Sequence, residues 1–202
     1  VLDSLLQAHE GLIIFLLAVF TSLSIRLSTV YHPNLVLSLV FKAIAERVYR
    51  PKSAPSYQLL SGTLGFVLPA LTITVLTYAI ISFAFYPNWL GGLVLFLCLD
   101  ISHESRAKRI MSLIKSKQKV TARAVLKGMV ARDVEKLTEL GVCKATIDST
   151  ALHTLRHFFV IALLYLMLGP YCALFYKLLL LCDHAWRQVM PPTSRFMASL
   201  AA

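Results

Sequence analysis

Acidic residues are scarce in this chain. Asp and Glu number 10 among 202 residues against 20 Lys and Arg, a formal charge of +10. Charged residues of both signs make up only 15%, where a soluble domain carries about a quarter. Cysteine is sparse too, four residues with no CxxC pair, which speaks against a disulfide framework or a zinc ribbon. Cys98, Cys172 and Cys182 lie in apolar runs and Cys143 on a polar helix. They read as small buried hydrophobes. Neither GxxxxGK[ST] nor GxGxxG occurs, so no motif marks a nucleotide site. His103–Glu104 begins like a zinc-protease helix, but Ala107 stands where the second His is needed. No alternating strand pattern and no internal repeat stands out. No basic-aromatic motif accompanies the positive charge, so nucleic acid is not an expected partner.

What is abundant is apolar surface. Hydrophobic residues make up 57% and the mean hydropathy is +0.71. High apolarity with an excess of Lys and Arg predicts an integral membrane protein with basic cytoplasmic loops. The expected fold is all-α: one membrane domain over 1–202, polytopic, with about five membrane-inserted helices. Cytoplasmic helical segments are expected at about 32–57 and 102–157.

Five apolar runs carry this expectation: Leu12–Ile25, Leu59–Tyr86, Trp89–Ile101, Phe158–Leu168 and Tyr171–Cys182. The second is long enough to cross with a tilt or a kink, and Pro69 offers the kink. The last two are each too short to span about 30 Å at 1.5 Å per residue. They form either one broken span or the apolar halves of a helical hairpin. Gly169–Pro170 between them favours the hairpin, since Gly stops a helix and Pro starts one. The basic residues agree. Residues 26–57 hold five Lys or Arg and residues 102–157 hold twelve, whereas the turns at 86–91 and 169–170 hold none. The positive-inside rule then puts the N-terminus outside and the C-terminus in the cytoplasm. The expected location is a bacterial inner membrane, with lipid as the first partner.

Residues 32–50 read as an amphipathic helix at the membrane surface. Leu35, Leu39, Ile44 and Val48 fall near helical spacing, with Lys42, Glu46, Arg47 and Arg50 largely opposite. Residues 102–157 read as a helix continuing from the third run, a turn near 115–118, a helix to about Val130, and a helix capped by Thr138. The basic residues of this segment suit anionic lipid, or a phosphate-bearing substrate.

Some polar residues invite chemistry. His153 and His157 lie four apart on one helix face, with Asp183 and His184 on the next helix. Interfacial histidines without a metal are commoner than metal pairs, so no metal ligand is assigned. Asp148 lies about three turns before the fourth apolar run. A carboxylate there is either paired, with Lys144 one turn back, or faces a polar pocket together with Ser149.

The order of these features resembles the CbiB/CobD family of cobalamin-biosynthesis membrane proteins. His32–Pro33 and Glu46–Arg47 resemble that family's early His-Pro and its helix ending in Glu-Arg. Arg132–Asp133–Val134 resembles its Arg-Asp-Thr, and Leu137–Thr138 its Leu-Asp helix start. Ala145–Thr146–Ile147–Asp148–Ser149 resembles Ala-Thr-Val-Glu-Ser at the same spacing. Gly169–Pro170, then Ala173–Leu174–Phe175–Tyr176–Lys177 and Cys182–Asp183, follow the family's Gly/Pro turn, Ala-Leu-Ala-Tyr-Arg and Leu-Asp. The resemblance implies an adenosylcobinamide-phosphate synthase. That enzyme joins an aminopropanol or ethanolamine phosphate to a propionate carboxylate of adenosylcobyric acid, with Mg²⁺ and ATP. It implies catalytic roles for Arg132, Asp133, Asp148 and Ser149, and substrate-binding roles for His32, Glu46, Arg47 and Asp183. The corrinoid would be the substrate, and other late-pathway membrane proteins would be partners.

The chain departs from the family after Asp148–Ser149. Where the family continues Val-Ala-Glu-Asn and then Asp-Gly, this chain has Thr150–Ala151–Leu152–His153 and then Arg156–His157. Leu180 replaces the Asn before Leu-Asp. These replacements support a second reading: a noncatalytic membrane subunit or regulator on the same fold, as in the distantly related AmpE. A transporter ranks third, for want of paired broken helices in corresponding halves.

Overall fold

The computed structural model describes residues 2–24, 33–49, 54–100, 102–130, 134 and 137–189. Among these residues all regular structure is helical. The helices are α1 (Leu2–Ser24), α2 (Pro33–Val48), α3 (Pro55–Ser82), α4 (Pro87–Cys98), α5 (Ser102–Lys115), α6 (Lys119–Lys127), α7 (Glu139–Thr154), α8 (Val160–Leu168) and α9 (Pro170–Val189). A single π turn, Leu155–Phe159, joins α7 to α8.

Local chemistry accounts for most boundaries. Pro55, Pro87 and Pro170 each open a helix, where the missing N–H is no loss. Thr138 caps α7, its hydroxyl accepting from the Gly141 amide at 3.2 Å. The turn between α5 and α6 turns on Lys117 at φ 59°. Gly169 stops α8 at φ 86°, a conformation open to glycine at little cost, and Pro170 starts α9 at once. Residues 160–189 are therefore a helical hairpin, as the Gly–Pro pair predicts.

Among the described residues two helices are long and apolar enough to cross a membrane, Ser56–Ser82 and the continuous Glu139–Leu168. Their apolar windows are only 17% and 6% buried by the rest of the chain. That leaves long rows of Leu, Ile, Val and Phe facing outward, the surface a lipid phase solvates. The Thr hydroxyls of α3 are satisfied within the helix: Thr72, Thr74 and Thr77 donate to the carbonyls one turn back at 2.8, 2.8 and 2.9 Å. Such bonding keeps a hydroxyl from standing bare in hydrocarbon. The runs in α1 and α4 lie on shorter apolar helices, His9–Ser24 and Pro87–Cys98.

Three cores hold the helices. In the first, Phe41 and Ala45 of α2 meet Phe66 and Ala70 of α3 and Leu178, Cys182, Ala185 and Trp186 of α9. In the second, Ala18 of α1, Leu95 and Cys98 of α4 and Ile161 of α8 meet Ala173 of α9. In the third, Ile110, Ala122, Leu126, Val134, Val142 and Ala145 pack α5, α6 and the start of α7 together. The Arg123 guanidinium donates to the Leu137 carbonyl, and Lys119 pairs with Glu139 at 2.6 Å, fastening α6 to the entrance of α7. Helix α9 belongs to both apolar cores.

One expectation needs correction. The third apolar run does not continue as a helix into residue 102 and beyond. Leu99 is extended, at φ −70° and ψ 135°, and a separate helix begins at Ser102. In α2 the face buried against protein lies apart from Leu35 and Leu39, which are exposed as residues of a row at a membrane surface would be. That face is Phe41 and Ala45, both fully buried against α3 and α9. Helical spacing finds apolar rows but does not say which one meets protein and which one lipid, since hydrocarbon accepts Leu as readily as a core does.

Helices α1 and α4 approach closely at Gly92, where an added Cβ would lie 2.3 Å from Ile14 Cγ2. Ile14 is buried and β-branched, so it has no easy rotamer to move to. Gly92→Val is expected to overpack this contact and cost about 1–3 kcal/mol. Gly11→Ala, on the same α1 with nothing within 4 Å of the new methyl, should instead gain about 0.5–1 kcal/mol of helix stability. Thermal unfolding of the detergent-solubilised protein checks both: Tm should fall for Gly92→Val and rise for Gly11→Ala.

Candidate functional site

Asp100 is the one charged residue of the apolar run Trp89–Ile101, and Lys177 the one charged residue of Tyr171–Cys182. The fold brings them together. Lys177, in the middle of α9, is 1% exposed. Its Nζ has no hydrogen-bond partner among the described residues and lies 3.9 Å from Asp100 Oδ2. A buried ammonium far from any counter-charge is costly, so this carboxylate is what makes the position of Lys177 tenable.

The extended Leu99 carries Asp100 out of α4 toward the π turn. There the Asp100 amide donates to the His157 carbonyl at 3.3 Å. A π turn opens the helix to i→i−5 bonding, and such turns recur at functional sites. His157 of this turn stacks on His153 at the end of α7, their ring centroids 4.0 Å apart and their planes 11° from parallel. One ligand atom each from Asp100, His153 and His157 lie within 4.8 Å of one another. Asp100, His153, His157 and Lys177 therefore form a polar cluster where the end of α4 meets α9 and the π turn, in largely apolar surroundings.

The residues expected from sequence are more scattered. Ser149 is half-buried and donates to the Met129 carbonyl at 3.1 Å, tying α7 to the turn after α6. Asp148 beside it is exposed, and among the described residues it forms no ion pair with Lys144. Glu46 and Arg47 are exposed at the end of α2, which packs on α3 and α9, whereas α7 packs on α5 and α6. Asp183 is held by Arg187 one turn on, whose Nε donates to its two oxygens at 3.0 and 2.9 Å. Among the described residues no hydrogen bond or ion pair joins Glu46, Arg47 or Asp183 to Asp148 or Ser149. His32, Arg132 and Asp133 lie outside the described residues.

His153 and His157 stand out by their spacing in the sequence. Their neighbour in the fold is Asp100 rather than a residue of the Asp183–His184 pair first set beside them. The signal that points to Asp100 and Lys177 is a lone charge inside an apolar run, a functional hypothesis by default in a membrane segment.

The geometry defines a class: a helical protein whose described residues include two helices long and apolar enough to cross a membrane and a charged cluster set among apolar helices. The sequence pattern of the CobD/Cbib protein family matches residues 15–190, and the chain belongs to that family. Membership implies a role in cobalamin biosynthesis. No curated protein and no solved structure matches the chain.

If the cluster is a coupled unit, its charges should depend on one another. Asp100→Ala leaves the Lys177 ammonium buried without its carboxylate and is expected to cost about 3 kcal/mol. Lys177→Met in that background removes the orphaned charge and should restore part of the loss. A double-mutant cycle from denaturant unfolding in detergent reads the coupling. Strictly additive effects would mean that the two charges do not interact.

Proposed function

We propose that the chain is an adenosylcobinamide-phosphate synthase-type amide ligase. It would join the amine of an aminopropanol or ethanolamine phosphate to a propionate carboxylate of adenosylcobyric acid, with ATP as the co-substrate. The observation that carries this reading is the family match over residues 15–190. Counterparts of the family's Arg-Asp, Glu-Ser and Gly/Pro landmarks follow one another along that stretch, at Arg132–Asp133, Asp148–Ser149 and Gly169–Pro170.

In the proposed reaction ATP phosphorylates the carboxylate with release of ADP, and the amine then attacks the acyl phosphate, forming the C–N bond as phosphate leaves and the amine gives up a proton. The amino-alcohol and the nucleotide both bring phosphate groups. The face that suits them is the basic one, where Arg106, Lys108 and Arg109 of α5 and Lys115, Lys117, Lys119 and Lys127 further on are exposed. Positive potential there raises the local concentration of phosphate-bearing substrates. Glu104 and Glu139 on that face are engaged by Lys108 and Lys119, so Asp148, exposed on the adjoining α7, would take a proton from the attacking amine.

A protein-held Mg²⁺ does not fit the described residues. Mg²⁺ calls for oxygen ligands in near-octahedral array. The carboxylates of Glu46, Asp148 and Asp183 are spread over α2, α7 and α9, with Asp183 engaged by Arg187. The second reading, a noncatalytic subunit or regulator on the same fold, draws support from this and from Leu152 and Arg156 at positions where the family has acids.

The membrane reading places the chain in the bacterial inner membrane, with the N-terminus outside and α5 to α7 and the C-terminus in the cytoplasm. Its support is the charge-free Gly169–Pro170 turn and the basic residues of α5 and α6. A reporter fused after Arg187 is expected to signal cytoplasmic, and a periplasmic signal there would refute this arrangement.

The activity test uses the full chain in detergent with adenosylcobyric acid, aminopropanol phosphate and Mg-ATP. Amide formation accompanied by ATP consumption is expected, and Asp148→Asn should lower its rate about 10²-fold or more. If the wild-type chain makes no amide while deletion of its gene still blocks cobinamide-phosphate formation in cells, the noncatalytic reading replaces the ligase.

A further inference from the structure

We propose that the groove between α5 and α7 holds one acyl chain of an anionic phospholipid, whose headgroup sits at the basic outer end of the groove. The inference rests on the membrane reading of the Glu139–Leu168 helix and stands apart from the ligase reading.

The course of α5 makes the groove. The helix begins at Ser102, just after Asp100, whose amide is bonded to the His157 carbonyl in the π turn. It ends at Lys115, shortly before Lys119, which pairs with Glu139 at the start of α7. Helix α5 therefore runs back along α7, from the π turn toward the Thr138 cap. One side of the pair is closed by Ile110, Val142 and Ala145. Another side is open, as a groove of about 520 Å³ lined by Ala107 and Met111 of α5 and by Ile147, Ala151, Leu155 and Phe159. That volume lies within the roughly 300–1,000 Å³ of small-molecule sites.

The wall suits an alkyl chain. No charged side chain lines it. Of its threonines, Thr146 and Thr150 donate to the Val142 and Thr146 carbonyls, both at 2.7 Å, so these hydroxyls are satisfied within α7. The groove is also continuous with the lipid-facing surface. Ile147, Leu155, Phe159, Leu163 and Leu166 recur at helical spacing, and each is more than half exposed. The whole helix has 30 residues, about 45 Å against about 30 Å of hydrocarbon. About its first ten residues therefore stand outside the hydrocarbon, and the groove opens where they end. A chain of the adjoining leaflet enters it without apolar surface passing through water.

Charge decides the kind of lipid. At the outer end stand Lys115, one turn beyond Met111 on α5, and Lys144, one turn before Ile147 on α7. Both are exposed, and among the described residues neither forms an ion pair. Lys108, on the same edge of α5, is matched by Glu104 at 2.6 Å. Two lysines thus stand against one acid, Asp148. Lysine stems reach from an apolar wall to the headgroup layer, and ammonium groups there favour anionic over zwitterionic lipid. A second copy of this chain would bring its own charge of +10 to the same edge, which opposes it as an occupant.

The test uses the full chain, delipidated in mild detergent and offered phosphatidylglycerol and phosphatidylcholine of equal chain length. Native mass spectrometry counts the lipid retained. Wild type should keep about one phosphatidylglycerol per chain, in about tenfold preference to phosphatidylcholine. Ala151→Trp fills the groove and should cut this retention at least about tenfold. Ala107→Leu narrows the opposite wall and replaces that variant if it fails to fold. Lys115→Gln with Lys144→Gln should erase the preference while a lipid still binds. Equal retention of the two lipids by wild type overturns the site, as does undiminished retention in the groove-filling variant. Loss of a dimer in place of lipid would assign the groove to a second copy and overturns it too. A wild-type chain that stays dispersed after detergent removal overturns the membrane reading and the site together, whereas one that needs detergent but shows no lipid preference overturns the site alone.

Discussion

A buried ammonium is the constraint around which the rest of this molecule is arranged. Lys177 sits at the middle of α9, the helix that contributes to both apolar cores, with Ala173 one turn before it and Leu178 and Cys182 after it. Moving such a group out of water costs several kcal/mol, so a counter-charge must come to it. The nearest one available, Asp100, lies at the end of an apolar helix. For its carboxylate to reach Lys177 the chain leaves helical geometry at Leu99, and the freed Asp100 amide finds the His157 carbonyl. One electrostatic requirement thus links the end of α4, the π turn and the middle of α9.

The hydrophobic part of the structure obeys a different rule. In water, α3 and the Glu139–Leu168 helix would be unstable with so much apolar surface outward, since only 17% and 6% of their apolar windows are buried. In hydrocarbon that surface costs nothing, and association rests on packing instead. The contacts that do form are shape-specific. Gly92 lets α1 approach α4, and the small Ala45 and Ala185 sit in the core shared by Phe41 and Trp186. The α5–α6–α7 part behaves like an ordinary soluble bundle, with an apolar centre around Ile110 and Leu126 and an ion pair at its rim. The boundary between the two regimes runs along α7 itself, between its Thr138 cap and the apolar α8.

This division explains which features could be read from the sequence. Local punctuation was legible: Thr138 as a cap, the turn at Lys117, and Gly169–Pro170 as the bend of a hairpin all follow from backbone chemistry within a few residues. The break at Leu99 was not, because Leu-Asp-Ile carries no Gly or Pro. Its cause is a partner more than seventy residues away. The packing face of α2 was hidden for another reason: Leu35 and Leu39 make as good an apolar row as Phe41 and Ala45 until the position of α9 is known. Among the site candidates, His153 and His157 announced themselves by spacing. Asp100 could be suspected only as a lone acid in an apolar run, and its company could not be foreseen.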